Sequence, residues 1–215
     1  MEQTMDQTTE QTTEQTMEQT LKKRGRCHVF GDGVPLDEGV MAFKYAIGRV
    51  TDPKELIPHL FEHIDPGFVG RVKPGDFVIA GNDFGCGKPH IQGFIALAAL
   101  GMGVLCGSMP YKALRGAVSK GLPVLTGCVG AAAFASAGDE IEVDFATGAA
   151  VNHTTGKRAT FPAMPEVLRE IIANGGAPGQ LAAWLAQHPE QQAAPGMRSA
   201  LYAGTPIQVV RSAPA

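Results

Sequence analysis

Charge is scarce in this chain of 215 residues, and what there is nearly cancels: 18 Lys and Arg stand against 21 Asp and Glu, a net charge of −3. That balance provides no basic face for nucleic acid. The one basic cluster, Lys22-Lys23-Arg24 with Arg26, is short and reads as a solvated boundary between a tail and a domain. Cysteine is just as sparse. Cys27, Cys86, Cys106 and Cys128 lie far apart, with no CxxC pair and no Cys/His group at zinc spacing, so no metal site is expected from this chain alone. A long hydrophobic run is missing too: Phe94-Ile95-Ala96-Leu97-Ala98-Ala99-Leu100 stops at Gly101, far short of a membrane span. The N-terminus has no basic start followed by an apolar stretch, which points away from secretion and toward the cytoplasm, with reduced thiols. What remains is 44% apolar residues and 27 glycines, a soluble composition long enough for one domain with a core of its own.

Residues 1–20 are five four-residue units, MEQT, MDQT, TEQT, TEQT and MEQT, with almost nothing to bury. Residues 1–24 are therefore expected to form a disordered tail, and residues 189–215, rich in Gln, Ala, Pro and Gly, a second loose one. The domain lies between them, at residues 25–188. Cys27-His28-Val29-Phe30 reads as a strand ending at the turn Gly31-Asp32-Gly33. Residues 53–63 have a helical pattern with Asp52 as N-cap and Pro53 in first position, broken at Pro58. After the turn Val72-Lys73-Pro74-Gly75-Asp76, the apolar Phe77-Val78-Ile79-Ala80 suits a strand covered on both faces.

A helix is predicted over residues 89–100 and a strand at Val104-Leu105-Cys106, which makes a βαβ unit with parallel strands and a right-handed crossover. Residues 111–120 read as a helix ended by Gly121, and Pro123-Val124-Leu125-Thr126 as a short strand. Ile141-Glu142-Val143-Asp144-Phe145 alternates in period two and is expected to form a hairpin with residues 157–161, across a turn near Thr155-Gly156. A last helix over residues 166–173 stops at Asn174-Gly175-Gly176. The class is α/β.

One stretch carries most of the chemistry: Asn82-Asp83-Phe84-Gly85-Cys86-Gly87-Lys88-Pro89-His90-Ile91-Gln92. A Gly-rich turn running into a helix presents N–H groups and the positive end of a helix dipole, a place for an anion, and Lys88 adds a cation. A nucleotide P-loop does not fit. Its first Gly would fall on Asn82, and Pro89 stands where a magnesium-binding Ser or Thr is needed. The dinucleotide pattern fails as well, because Gly85 and Gly87 are followed by His90. A carboxylate suits the remaining groups better than a polyphosphate.

In order along the chain come Phe30-Gly31-Asp32, Val72-Lys73-Pro74-Gly75-Asp76, Ala80-Gly81-Asn82-Asp83-Phe84-Gly85-Cys86-Gly87, Gly121-Leu122-Pro123, and Gly138-Asp139-Glu140-Ile141-Glu142-Val143-Asp144. Asn152 with Thr154-Thr155-Gly156-Lys157 and Pro165…Ile171…Gly175-Gly176 complete the set. Together these motifs resemble the small swivel-domain subunits of the aconitase superfamily, especially the isopropylmalate dehydratase (isomerase) small subunit. The resemblance implies a swivelling β/β/α domain with a βαβ unit and a C-terminal hairpin plus helix. It also implies a hydro-lyase active only with a large subunit, which carries a [4Fe-4S] cluster, so that no cofactor is held by this chain. The substrate would be a small hydroxy-di- or tricarboxylate, with leucine biosynthesis one pathway it would suit.

The sequence departs from that family where the chemistry is done. Ser-Ser-Arg-Glu-His usually follows Gly-Cys-Gly; here Lys88-Pro89-His90-Ile91-Gln92 does. The base hydroxyl and the bidentate arginine are both gone. Lys88 then stands in the base position, with His90 to bind a carboxylate or relay a proton. Gly85, Cys86, Gly87, Arg115 and Asp32 are the expected substrate-binding residues. The alternative is a catalytically inactive structural or regulatory partner of a large subunit. The early loop Gly33-Val34-Pro35-Leu36-Asp37-Glu38-Gly39-Val40 is altered as well.

Overall fold

A computed structural model of the chain describes residues 21–189; the N-terminal repeats and nearly all of the C-terminal segment expected to be loose lie outside the described residues. The chain divides at Gln180/Leu181 into two compact units. The first holds one seven-stranded sheet of order β4-β3-β2-β1-β5-β6-β7. Its strands are β1 (Lys22–Val29), β2 (Phe77–Ala80), β3 (Gly103–Cys106), β4 (Val124–Leu125), β5 (Glu140–Asp144), β6 (Ala149–Asn152) and β7 (Arg158–Thr160). The helices are α1 (Phe43–Ile47), α2 (Pro53–Leu56), α3 (Phe68–Arg71), α4 (Gln92–Ala99), α5 (Tyr111–Ser119), α6 (Ala131–Phe134), α7 (Glu166–Ala173) and α8 (Ala177–Gln187). Within the second unit, the Trp184 and His188 rings stack at 4.3 Å.

β1 joins two kinds of sheet. Its second half, from Cys27 to Val29, runs parallel to β2, and β2, β3 and β4 continue the parallel part. Its first half, from Lys22 to Arg26, runs antiparallel to β5. The strand thus starts well before Cys27, inside the segment read as tail, and Leu21 just ahead of it is buried. The basic cluster faces acidic partners there. Lys22 pairs with Glu142 at 3.0 Å, Arg24 makes a two-pronged pair with Glu140, and Lys23 donates to the Gly101 carbonyl. Opposite charges facing each other across two strands favour this register.

The expected βαβ unit is present as β2, α4 and β3, with β2 and β3 buried on both faces. Period-two alternation splits them between two cores. Val78, Ala80, Val104 and Cys106 join Phe61, Phe68, Phe84 and Phe94 on one side. Phe77, Ile79 and Leu105 join Ile141, Val143 and Phe145 on the other. Each such aromatic or aliphatic side chain contributes roughly 1.5–3 kcal/mol by leaving water.

One expectation is corrected. The C-terminal hairpin is a three-stranded meander, because β6 lies between β5 and β7, and residues 158–160 pair with β6 rather than with β5. Asp144 makes the unread turn, its Oδ1 accepting from Ala146 N at 2.8 Å and Thr147 N at 3.3 Å. The helix over residues 53–63 breaks at Pro58 as read: α2 gives way to a 3-10 turn at Ile57–His59. Asp52 is its N-cap as read, accepting from Lys54 N at 2.9 Å.

Two buried polar residues tie the sheet together. Asp76, 3% exposed, accepts from Arg26 N, Lys73 N and His28 Nε2 and fastens β2 to β1. Asn152, fully buried, donates to Phe134 O and Asp139 Oδ2 and accepts from Thr154 N and Thr155 N.

Candidate active site

The carboxyl ends of parallel strands are where open α/β sheets hold ligands. Here the segments following β1, β2 and β3 meet at that end. Gly33 N donates to Asn82 O at 2.7 Å, Gly85 N to Val34 O at 2.8 Å and Leu36 N to Cys86 O at 2.8 Å. The early loop and the Gly-rich loop therefore run side by side, with Pro35 bridged to Cys86. From β3, Ser108 takes Phe84 N at its carbonyl and Asp83 N at its hydroxyl, at 3.0 and 2.8 Å. Asp32 accepts from Asn82 N at 2.5 Å, so this expected binding residue sets the loop's path from within. Gly81 is required there: a Cβ on it would lie 1.9 Å from the Asp32 carboxylate.

These bonds use up N–H groups that the sequence offers to an anion. Gly85 N is bound to Val34 O, Cys86 N to Asp83 O and Lys88 N to Asp37 Oδ1. The helix also starts late. α4 begins at Gln92 rather than Pro89, so the Gly-Cys-Gly turn does not abut a helix end. Any anion at this place is met chiefly by side chains.

Two side chains are suited to it. Lys88 is exposed and has no ion pair among the described residues; its Nζ sits 4.8 Å above the centre of the Phe43 ring. His90 is half-buried against the same ring, 5.9 Å between centroids. Neither of its ring nitrogens has a hydrogen-bond partner. Burial pushes the imidazole below its ordinary range, and the Asp37 carboxylate pulls it back only in part. The Leu36 backbone and the Gln92 side chain also favour the protonated ring, from positions that miss hydrogen-bond geometry. The result is a ring that stays neutral near pH 7.

Arg115 is not brought to this group. Ala113 is the α5 residue against Gly85, where an added Cβ would meet it at 3.0 Å. Arg115, two residues on, points about 200° away around the helix. It stacks on Tyr111 at 5.6 Å and lines a cavity of about 710 Å³ with Leu168 and Ile171. Asp37 and Phe43 are the residues the sequence did not reveal. Their partners lie about 50 positions away, and no local pattern marks a loop carboxylate as the clasp for a distant amide.

Cys86 is half-buried, with its Sγ 3.5 Å from Gly33 O, in keeping with a packing role. Burial pushes the other three thiols, Cys27, Cys106 and Cys128, up to about 12. Among the described residues, no three His, Cys, Asp or Glu side chains gather where they could hold a metal ion. Four histidines pair with carboxylates instead: His28 with Asp76, His59 with Glu62, His63 with Glu38 and His153 with Glu142.

No family model matches the sequence. Similar proteins do. The chain is 36% identical over 154 residues to the 3-isopropylmalate dehydratase small subunit of Moorella thermoacetica, covering 71% of this chain and 90% of that protein. It belongs to the 3-isopropylmalate dehydratase small-subunit family. The 2,3-dimethylmalate dehydratase small subunit of Eubacterium barkeri is likewise 36% identical, over 72% of this chain and 93% of its own length. A crystal structure of 3-isopropylmalate dehydratase from Methanocaldococcus jannaschii superposes with a TM-score of 0.70 at 31% identity, covering 79% of this chain and 99% of that one. The fold of this dehydratase small subunit is thus the aconitase-type swivel domain, and the strand and turn preceding Lys88 lie within it. Among the described residues, no helix is long and apolar enough to cross a membrane.

Proposed function

We propose that this small subunit completes a cytoplasmic hydro-lyase in which a large subunit carries a [4Fe-4S] cluster, and that the pair dehydrates a small branched hydroxy-dicarboxylate. What supports this is the 36% identity to dehydratase small subunits over nine-tenths of their length, with relatives named for 3-isopropylmalate and 2,3-dimethylmalate. Dehydration removes a proton from one carbon and a hydroxyl from the next. The cluster would supply the Lewis acid for the hydroxyl. The present chain's part is the carboxylate and the proton.

Lys88 is assigned to the carboxylate. It is an exposed cation without a competing ion pair, at the end of the sheet where substrate is expected. His90 is assigned to proton transfer. Burial holds its pKa below the ordinary range, both ring nitrogens lack a hydrogen-bond partner, and it lies two residues from Lys88. Both ring nitrogens are buried, so the imidazole must turn outward to meet a substrate. These roles differ from those the family's motif implies, where the position of Lys88 is that of the base; the cation on an aromatic face motivates the exchange.

Steady-state kinetics of the assembled enzyme separates the roles. Lys88→Ala is expected to raise KM about 10- to 100-fold, the worth of a charged hydrogen bond, with kcat largely kept. His90→Gln is expected to lower kcat about 10²- to 10⁴-fold at similar KM. Loss of kcat in Lys88→Ala at unchanged KM would return the base role to Lys88. Full activity in both variants would make the chain a non-catalytic partner.

A further inference from the structure

Lys88 has a long, flexible side chain at an exposed position, and an unpaired lysine of that kind ordinarily samples many rotamers. A carboxylate beside it would hold it still, but would also neutralise the charge that a substrate carboxylate needs. The carboxylate that does contact Lys88, that of Asp37, is directed elsewhere: its Oδ1 accepts from the backbone N–H of Lys88 at 3.0 Å. The ammonium instead rests 4.8 Å above the Phe43 ring centre. An aromatic face attracts a cation through its quadrupole and leaves the net charge uncompensated.

We propose that Phe43 is a positioning residue for Lys88, an aromatic rest that fixes the ammonium while keeping its charge free for the substrate carboxylate. This rests on the role given to Lys88 above. The ring is itself well fixed. Met41 and Ala42 just before it are buried, the Phe43 N–H donates to Glu38 Oε1 at 3.0 Å, and the other Glu38 oxygen lies 2.7 Å from His63 Nδ1. The His90 ring also lies against it, 5.9 Å between centroids. Lys88 is therefore held at both ends, the amide by Asp37 of the early loop and the ammonium by Phe43 at the start of α1.

The test is kinetic and uses the enzyme assembled with its large subunit. Phe43→Leu is expected to raise KM about 3- to 30-fold with little change in kcat, the range of a cation resting on a ring, and Phe43→Tyr to restore it. In a Lys88→Ala background, Phe43→Leu is expected to add no further increase. Fluorinated phenylalanines at position 43 keep the shape but drain the ring face, so KM is expected to climb with each added fluorine. That series stands even if Phe43→Leu fails to fold. A flat fluorine series, or full additivity with Lys88→Ala, would overturn the role of Phe43 while leaving Lys88 as the anchor. If Lys88→Ala itself leaves KM unchanged, the role of Lys88 fails, and that of Phe43 with it.

Discussion

Gly87→Ala isolates the contact that locks the two loops together. Gly87 has φ +82, and a Cβ there would lie 2.1 Å from Asp37 Oδ1. Two costs follow. An alanine in the left-handed region costs about 1–2 kcal/mol. The Asp37 carboxylate must also swing aside, losing its bond to Lys88 N, roughly 1 kcal/mol for a hydrogen bond at a partly exposed position. The sum is about 2–3 kcal/mol, and at about 2–4 °C per kcal/mol for a domain of this size Tm should fall by about 5–10 °C. Gly156→Ala is the control. Its φ is +76, and nothing lies within 4 Å of an added Cβ, so only the backbone cost applies. Thermal unfolding of the isolated chain should show Gly87→Ala to be the worse by about 2–4 °C. In an Asp37→Ala background the two alanines should cost the same. Equal losses in the wild-type background would refute the clasp.

Three further outcomes are expected. Asn152→Leu leaves the buried Phe134 carbonyl unmet, releases three partners that water can reach, and should cost about 1–3 kcal/mol, read as a drop in the urea midpoint. Because His90 binds its proton less readily folded than unfolded, stability should decline as pH falls below about 6.5, toward the lowered folded value; His90→Gln should flatten that part of the curve. Thiol labelling of the native chain at pH 8 should modify Cys86 quickly, and Cys27, Cys106 and Cys128 only after unfolding, since burial holds those three near pKa 12.

Much of the fold was legible because its signals are local. The apolar run at Phe77–Ala80, the Asp52 cap with Pro53 and Pro58, and the double glycine after α7 each act within a few residues. What escaped depends on partners far away in sequence. Lys22 and Arg24 look like a solvated cluster until Glu142 and Glu140 are placed opposite them. β6 has two alanines and an asparagine in four residues, weak strand formers that only the meander holds in line. The departure from the family's motif is what marks Lys88 and His90 as candidates for the roles proposed above. Asp37 and Phe43 were not legible, because each acts across the gap between two loops. The anion cradle foreseen at Gly85, Cys86 and Gly87 ignored a competing use for two of those amides: the carbonyls of Val34 and Asp83 reach them first.

The central claim is that this chain completes a cluster-bearing dehydratase. Anaerobic affinity isolation from its native host tests it most directly, with the co-purifying protein identified, iron and sulfide assayed, and dehydration of 3-isopropylmalate and 2,3-dimethylmalate followed on the isolate. An equimolar large subunit with iron, sulfide and turnover is the predicted result. A chain that emerges alone, free of iron and unable to restore turnover to a large subunit would contradict it.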